Sequence, residues 1–353
     1  MKVAVYTIAL NEEKFVERWY ESAKDADYLL IADTGSTDAT RKTAEKLGIH
    51  VHSIKVAPWR FDIARNASLV LLPGDIDYCI ALDMDEVLVP GWREELEKAH
   101  EKNLTRPRYK YTWNWNADGS PGLTYGGDKI HTRQGYRWKH PVHEVLVTDR
   151  ITQVEGWVGL EIHHHADNSK SRGQYLPLLK IAVEEDLTDD RNAFYYGREL
   201  FFHKEKDKAA EEFKRHLSLP RATWKPERAA SMRYIAKCLP DEAEYWLKKA
   251  IDEAPGRREA LVDLAKHYYN TKDWENSLKY AEKALEITEK PLEYLCEAEA
   301  WGEAPWDYAA IAAYNLKIYD KAFTYSKKAL EINPKDERLV KNFIFCQKAY
   351  EEK

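Results

Sequence analysis

Cysteine is scarce in this chain of 353 residues, with four copies, and methionine scarcer still, with three. Cys79, Cys238, Cys296 and Cys346 stand far apart and form no C-x-x-C pair, a spacing that argues against a zinc ribbon or a disulfide scaffold and points to free thiols. Long apolar runs are missing. No stretch approaches the ~20 apolar residues of a membrane span, and the run from Met1 to Tyr6 meets Asn11-Glu12-Glu13-Lys14 too soon to serve as a signal-peptide core. A cytoplasmic location is therefore expected, and no glycan is expected at the Asn66 and Asn103 sequons. An excess of one charge is also lacking: Lys plus Arg number 54 against 60 Asp plus Glu, a net charge of -6, so the molecule as a whole is not a polycation for nucleic acid. Neither G-x-G-x-x-G nor G-x-x-x-x-G-K-[ST] occurs, which removes the dinucleotide and P-loop readings.

What is present divides at about residue 185. The first 90 residues alternate short apolar runs with helical patterns: strands over Val3–Leu10, Tyr28–Ala32, His50–Lys55 and Tyr78–Leu82, helices over Glu13–Lys24, Asp38–Leu47 and Asp62–Leu71. Such alternation specifies a parallel α/β sheet. Ligands of open α/β sheets bind beyond the carboxyl ends of the strands, which is where Asn11, Asp33 and Asp83 fall. From Arg106 to Glu161 short strand-like runs with Gly, Pro and Trp predict a β-rich extension of the same domain.

The remainder is helical and repetitive. Asp241–Ile251 superposes on Glu275–Leu285 at a spacing of 34, and a small residue recurs at Ala210, Ala243, Ser277 and Ala322. The last interval, 45, is one such unit plus an insertion of 11 around Lys290–Ala304. With Pro following at Ala254-Pro255 and Asn333-Pro334, the pattern resembles tetratricopeptide repeats. Residues 1–185 and 186–353 are thus expected as an α/β domain and an all-α repeat domain.

The acidic run Asp83-Met84-Asp85-Glu86 follows an apolar strand. Carboxylates at i and i+2 on a strand project to one side, so Asp83 and Asp85 are expected to face one hard cation or its bound diphosphate. Ser36, Thr37 and Asp38 stand just before a helix and read as caps. Arg65 could reach a diphosphate or pair on the surface. If Leu160–His165 is a strand, His163 and His165 face one side and His164 the other.

Four segments, Thr7-Ile8-Ala9-Leu10-Asn11-Glu12-Glu13, Ala32-Asp33-Thr34-Gly35-Ser36-Thr37-Asp38, Ala64-Arg65-Asn66-Ala67 and Ala81-Leu82-Asp83-Met84-Asp85-Glu86, resemble in order the family 2 glycosyltransferases of the GT-A fold. The likeness is strong to about residue 100 and weaker to about 185, and extends to the bacterial and phage members that carry tetratricopeptide repeats behind the catalytic domain. It implies a GT-A domain with a Rossmann-like sheet, a nucleotide-sugar donor with a UDP-sugar foremost, and Mn²⁺ or Mg²⁺ at Asp85 with Asp83 on the ribose or on a water of the ion. It places Asp33 on the base edge, Thr7, Asn11 and Glu12 around the nucleotide, and a late histidine on the metal, His165 ahead of His163.

An inverting transfer needs a base for the acceptor's proton. Glu144, in Pro141-Val142-His143-Glu144, is the leading residue, and Asp118, which before Gly119 also suits a turn, is its rival. Arg106–His140 carries seven Lys or Arg against Asp118 and Asp128, interleaved with aromatics. That segment could meet a sugar or a phosphate, or simply form the buried face of a sheet. The expected acceptors are a glycan, a modified phage DNA base or a peptide, with a homodimer through the repeats as a further partner. The competing reading is a non-catalytic scaffold that binds sugar nucleotide or peptide.

Overall fold

A computed structural model describes residues 1–116, 118–167 and 173–352, and the chain divides into two compact units, Met1–Ala182 and Val183–Lys353. The first unit begins with the expected alternation: β1 (Val3–Ala9), α1 (Glu13–Ala23), β2 (Tyr28–Asp33), α2 (Thr40–Lys46), β3 (His50–Ser53), α3 (Phe61–Val70) and β4 (Tyr78–Ala81). It continues with β5 (Glu86–Leu88), α4 (Trp92–Glu101), β6 (Arg106–Thr112), β7 (Thr124–Gly127), β8 (Ile130–Thr132), β9 (Arg137–Lys139), β10 (Val145–Val147) and β11 (Glu155–His164), and the division falls within α5 (Tyr175–Glu185).

The main sheet has the order β3-β2-β1-β4-β8, with the first four strands parallel and β8 antiparallel to β4. β1 and β4 are buried along nearly their whole length, as strands covered on both faces must be. Trp19 of α1 is wholly buried and donates its indole N–H to the Leu82 carbonyl at 3.0 Å, which pins the chain one residue before Asp83. A second sheet, β5-β11-β6-β7, places β11 antiparallel to β5 and parallel to β6. Because β5 leaves the acidic turn directly, its pairing of His164 with Glu86 brings the end of β11 to that turn.

The aromatics of the β-rich segment divide between two cores: Tyr109 and Tyr111 of β6 pack with Trp19 and Ile31, and Tyr136 and Trp138, at β9, pack with Tyr6 and Leu30. Tyr109, Tyr111, Tyr136 and Trp138 are buried. Several of the basic residues among them are paired: Arg106 and Arg108 with Asp128, Lys110 with Glu161, and Lys129 with Asp83 and Glu86. The buried face of a sheet therefore accounts for much of the segment, and these four residues do not form a free cationic face for a phosphate.

The second unit pairs α6 (Asp190–Phe202) with α7 (Lys206–Ser218), α8 (Lys225–Cys238) with α9 (Ala243–Glu253), α10 (Arg258–Asn270) with α11 (Trp274–Glu286), and, after the short α12 (Ala298–Trp301), α13 (Ala304–Asn315) with α14 (Tyr319–Ile332); α15 (Glu337–Glu351) follows. The recurring small residue sits in the second helix of each pair. Ala210, Ala243, Ser277 and Ala322 are all buried there, where a larger side chain would hold the partner helix off. The insertion of the last interval is the segment that carries α12. All four cysteines are buried and free. Among the described residues no helix is long and apolar enough to cross a membrane.

His131 of β8 ties the sheet to the segment that follows. Its ring lies 3.1 Å from the Tyr6 hydroxyl and 2.8 Å from the Thr132 carbonyl, and Tyr6 also accepts from the Trp138 indole at 2.8 Å. Burial lowers the His131 pKa to about 4, so the folded protein holds it neutral at pH 7. The unfolded chain takes up a proton near pH 6.5 and the folded one does not until about pH 4, so stability falls as pH drops through this window. Urea unfolding at pH 7 and pH 4.5 should show a loss of roughly 2–3 kcal/mol from this group, and His131→Gln should flatten the slope. An equal slope in wild type and variant would refute the assignment.

Candidate active site

The carboxyl ends of β1, β2 and β4 converge as the sequence implies, but each residue there has a distinct setting. Asn11, at φ 56°, accepts from the Thr37 amide at 2.8 Å, and its own amide donates to Ser36 Oγ at 2.9 Å. These bonds lace the loop after β1 to the loop after β2. Asp38 accepts from the Thr40 amide at 3.0 Å and from the Glu13 amide at 3.2 Å, so it binds the first amide of both α2 and α1 although the N-cap positions themselves are Ala39 and Glu12. Glu12 is buried at the entry to α1, with its amide bonded to Thr40 Oγ1.

Two nucleotide contacts expected from the sequence are not presented to solvent. Thr7 is wholly buried within β1 and donates its hydroxyl to the Ile8 carbonyl at 3.2 Å, because its position in the middle of a central strand turns it inward. Asp33 is 1% exposed and accepts from the Gly35 and Ser36 amides at 3.2 Å, with Arg41 3.6 Å away. It is the staple of its own turn.

Arg65 and Asp83 are the centre of the site. α3 carries Arg65 inward, not to the surface: the guanidinium is buried, lies over the Trp138 ring at 5.1 Å, donates to Asp83 Oδ1 at 2.7 Å through Nη2, and pairs with Glu144 through Nε. Its Nη1 is buried without a hydrogen-bond partner. Lys129 holds the other Asp83 oxygen at 2.6 Å and Glu86 at 2.8 Å. Glu86, 1% exposed, also accepts from the Asp83 amide at 2.9 Å and the Tyr111 hydroxyl at 2.6 Å. Glu144, Arg65, Asp83, Lys129 and Glu86 thus form one chain of alternating charge. Burial would raise the Asp83 pKa, but Arg65 and Lys129 override it and hold the carboxyl well below the usual carboxylate range. Both cations are correspondingly pushed above their ordinary values against the opposing effect of burial.

Asp83 and Asp85 have different partners, and the strand geometry expected for them is absent. β4 ends at Ala81, and Asp83–Glu86 is a turn closed by the Glu86 amide on the Asp83 carbonyl at 2.9 Å, so strand alternation does not govern it. Asp83 is neutralised by two cations. Asp85 instead meets His164, with Nε2 3.3 Å from Oδ2, while His164 Nδ1 lies 2.8 Å from the Trp113 carbonyl. The expected histidines fall on the opposite side, as alternation requires: His163 and His165 both pack on Trp115, at 4.8 and 5.8 Å between ring centres. His165 remains tied to the turn through its amide, which donates to the Asp85 carbonyl at 2.8 Å. Burial lowers the His164 pKa, but the Asp85 carboxylate and the Trp113 carbonyl outweigh it and the net shift is upward.

Glu144 is delivered by a constrained segment. His140 and His143 adopt φ 86° and 51°, uncommon for residues with a Cβ. The Asn66 side chain accepts from the Trp138 amide and donates to its carbonyl, both at 2.8 Å, and the Phe61 amide donates to Pro141 at 3.0 Å. α3 therefore holds the segment on which Glu144 rides. Asp118 accepts from Ser120 through both its amide and its hydroxyl in an exposed turn, the ordinary role of an acid before Gly. Lys129 and Glu86 carry no mark in the sequence; what places Lys129 is the antiparallel entry of β8 beside the end of β4, where the Ala81 amide donates to the Lys129 carbonyl at 3.2 Å.

The class of protein that this domain supports is a glycosyltransferase. Residues 4–145 match the family model of glycosyl transferase family 2. No curated protein gives a significant match. Among solved structures, glucosyl-3-phosphoglycerate synthase from Mycobacterium tuberculosis, determined with Mn²⁺, uridine diphosphate and phosphoglyceric acid, is similar at 26% identity over 31% of this chain and 43% of that one, with a TM-score of 0.28. Tetratricopeptide proteins are also similar. The C-terminal part of one from Cytophaga hutchinsonii matches at 16% identity over 50% of this chain and 66% of that one, TM-score 0.40; a thermophilic one from Thermus thermophilus matches at 15% over 49% and 88%, TM-score 0.34.

The alternating chain makes Arg65 the residue whose loss costs most. Arg65→Met leaves Glu144 without its cation and Asp83 with one, and should lower stability by about 3–5 kcal/mol in urea unfolding. Asp85→Ala should cost about 1 kcal/mol or less, since its contact is a single partly exposed pair. The Asp83 contribution is present above its unfolded pKa of about 4 and is lost as pH falls toward the depressed folded value. Equal losses in the two variants would show that the chain of charges is not the anchor.

Proposed function

We propose that residues 1–185 are the catalytic domain of a metal-dependent, inverting glycosyltransferase that moves a sugar from a nucleotide donor, a UDP-sugar foremost, to a hydroxyl acceptor. The observation that carries this reading is that one buried guanidinium holds Asp83 and Glu144 together at the strand ends of a domain matching family 2. Residues 186–353 serve as the array that positions an acceptor or a second copy of the chain.

The residues present fit a divalent ion at Asp85. His164 turns Nδ1 to a carbonyl and Nε2 to the carboxylate, the usual posture of a metal-ligating imidazole. Asp85 and His164 would hold Mn²⁺ or Mg²⁺, with His165, whose amide is bonded to the Asp85 carbonyl, preferred to His163 as a further ligand and Asp83 held apart by its two cations. Such an ion, when bound, stabilises the negative charge that gathers on the departing diphosphate. Asp83, fixed by Arg65 and Lys129, faces the donor's ribose. Asn11, Glu12 and Asp33 shape the loops around the base. The free N–H of Arg65 at Nη1 is a donor for the diphosphate or for the acceptor.

In the transfer, the bond from the sugar's anomeric carbon to the diphosphate oxygen breaks, a bond from the acceptor oxygen to that carbon forms, and the hydroxyl proton passes to Glu144. Arg65 occupies Oε1 of Glu144 and orients Oε2 for that proton. A single displacement inverts the anomeric centre. Trp113 and Trp115, half-buried beside the histidines, have aromatic surface that suits a sugar or a base, so a glycan and a modified DNA base both stand as acceptors, with a peptide as the third.

A panel of nucleotide sugars should release nucleoside diphosphate only with Mn²⁺ or Mg²⁺, and Asp85→Ala should remove that release. Full turnover in EDTA would refute the metal. Glu144→Gln should lower kcat by about 10² to 10⁴ with donor affinity retained, and NMR of the product should show the inverted anomer. Retained configuration, or near-normal turnover in Glu144→Gln, would overturn the base assignment.

A further inference from the structure

A second cluster of metal-ligating side chains lies in the helical unit. Asp190 is the first residue of α6, His216 stands in the last turn of α7, and Glu227 lies in the first turn of α8. One ligand atom from each lies within 4.8 Å of the other two. His216 is wholly buried and Glu227 is 5% exposed.

The surroundings of the imidazole are one-sided. His216 Nδ1 is 2.8 Å from Ser231 Oγ, whereas Nε2 is buried, makes no hydrogen bond, and faces Glu227 Oε1 at 3.5 Å. The second Glu227 oxygen accepts from the Tyr294 hydroxyl at 2.6 Å. With Nδ1–H donated to Ser231, the Nε2 lone pair points at a carboxylate oxygen, so two acceptors meet with no donor between them. With the proton on Nε2 instead, that N–H still finds no bond of proper geometry. In neither tautomer is this buried nitrogen satisfied by the protein, and buried polar atoms of that kind are few.

We propose that Asp190, His216 and Glu227 bind a divalent transition-metal ion, Zn²⁺ in preference to Mg²⁺ or Ca²⁺, and that the ion fastens α6, α7 and α8 together. One imidazole and two carboxylates are a donor set suited to Zn²⁺, which takes nitrogen and oxygen at about 2.0–2.2 Å in fourfold geometry, while the harder ions take oxygen alone. Ser231 on Nδ1 and Tyr294 on the carboxylate are the outer partners that orient such ligands. The set carries two negative charges with a neutral imidazole, which a divalent ion balances. The site is separate from Asp85 and uses none of the residues assigned to transfer.

The test uses the full chain carrying Asp85→Ala, so that the strand-end site does not contribute, purified without a histidine tag and stripped with EDTA. Equimolar Zn²⁺ should be retained at about one ion per chain by elemental analysis and should raise Tm by several degrees, reversibly with EDTA. Co²⁺ should give a visible d–d band at the same stoichiometry, and Mg²⁺ should do neither. Glu227→Gln, which keeps the size of the side chain, should weaken Zn²⁺ binding about ten-fold or more and cancel the Tm shift. Asp190→Asn, at the less buried end of the set, serves where the first variant does not fold. Absence of retained Zn²⁺ and of any Tm response in the parent, or unchanged binding in either folded variant, would overturn the proposal.

Discussion

Five ionised side chains, Glu144, Arg65, Asp83, Lys129 and Glu86, are held side by side at the end of the main sheet, and the rest of the first unit is arranged so that none is left without an opposite neighbour. Placing charges in a low-dielectric interior costs several kcal/mol per ion. That cost is met only by close pairing, and close pairing fixes where the backbone can run. Asp83 sits on the turn after β4, Arg65 on α3, Lys129 before β8, Glu86 at the start of β5 and Glu144 ahead of β10, so one electrostatic chain positions five segments of the fold. The same constraint makes the site rigid before any ligand arrives, which is the condition under which oriented charges are most effective in catalysis.

Topology supplies the rest. β5 emerges from the acidic turn and pairs with β11, which carries the histidine run to Asp85 over a sequence gap that no local pattern bridges. β8 enters antiparallel to β4, so the residue before it lands beside the residue that ends β4. Both outcomes follow from strand pairing, in which one register choice decides the neighbour of every side chain along the edge.

This is also where the sequence stops being legible. β1 to β4 and their helices are readable because each is an apolar run of fixed period, and the helical unit because its small residues recur at the helix contacts. The alternation of His163, His164 and His165 is readable too, and the structure keeps it. Which side faces Asp85 is not, since that depends on the partner strand. The geometry of the acidic pair is not legible for a local reason: β4 ends two residues before Asp83, so a period of two does not apply to the turn that follows. Lys129 and Glu86 have no sequence mark because a buried ion pair becomes recognisable only when its partner is known.

The Asn66 amide stands in for a strand. It gives the Trp138 backbone both hydrogen bonds that a neighbouring peptide group would give. Its specificity is therefore for main chain, and the identity of the side chains along β9 is irrelevant to it. An aspartate there would keep the acceptor and set a second acceptor against the Trp138 carbonyl; a glutamine would have to fold away one methylene. The consequence is an asymmetry across a single contact: one partner is restricted to a single residue type out of twenty, whereas the other enters only through its main chain, and what fixes tryptophan at 138 is its separate contacts with Tyr6 and Arg65. The same nitrogen is the only one to which an N-linked sugar could be joined at this sequon, so carrying such a modification and holding β9 in place are mutually exclusive uses of one atom.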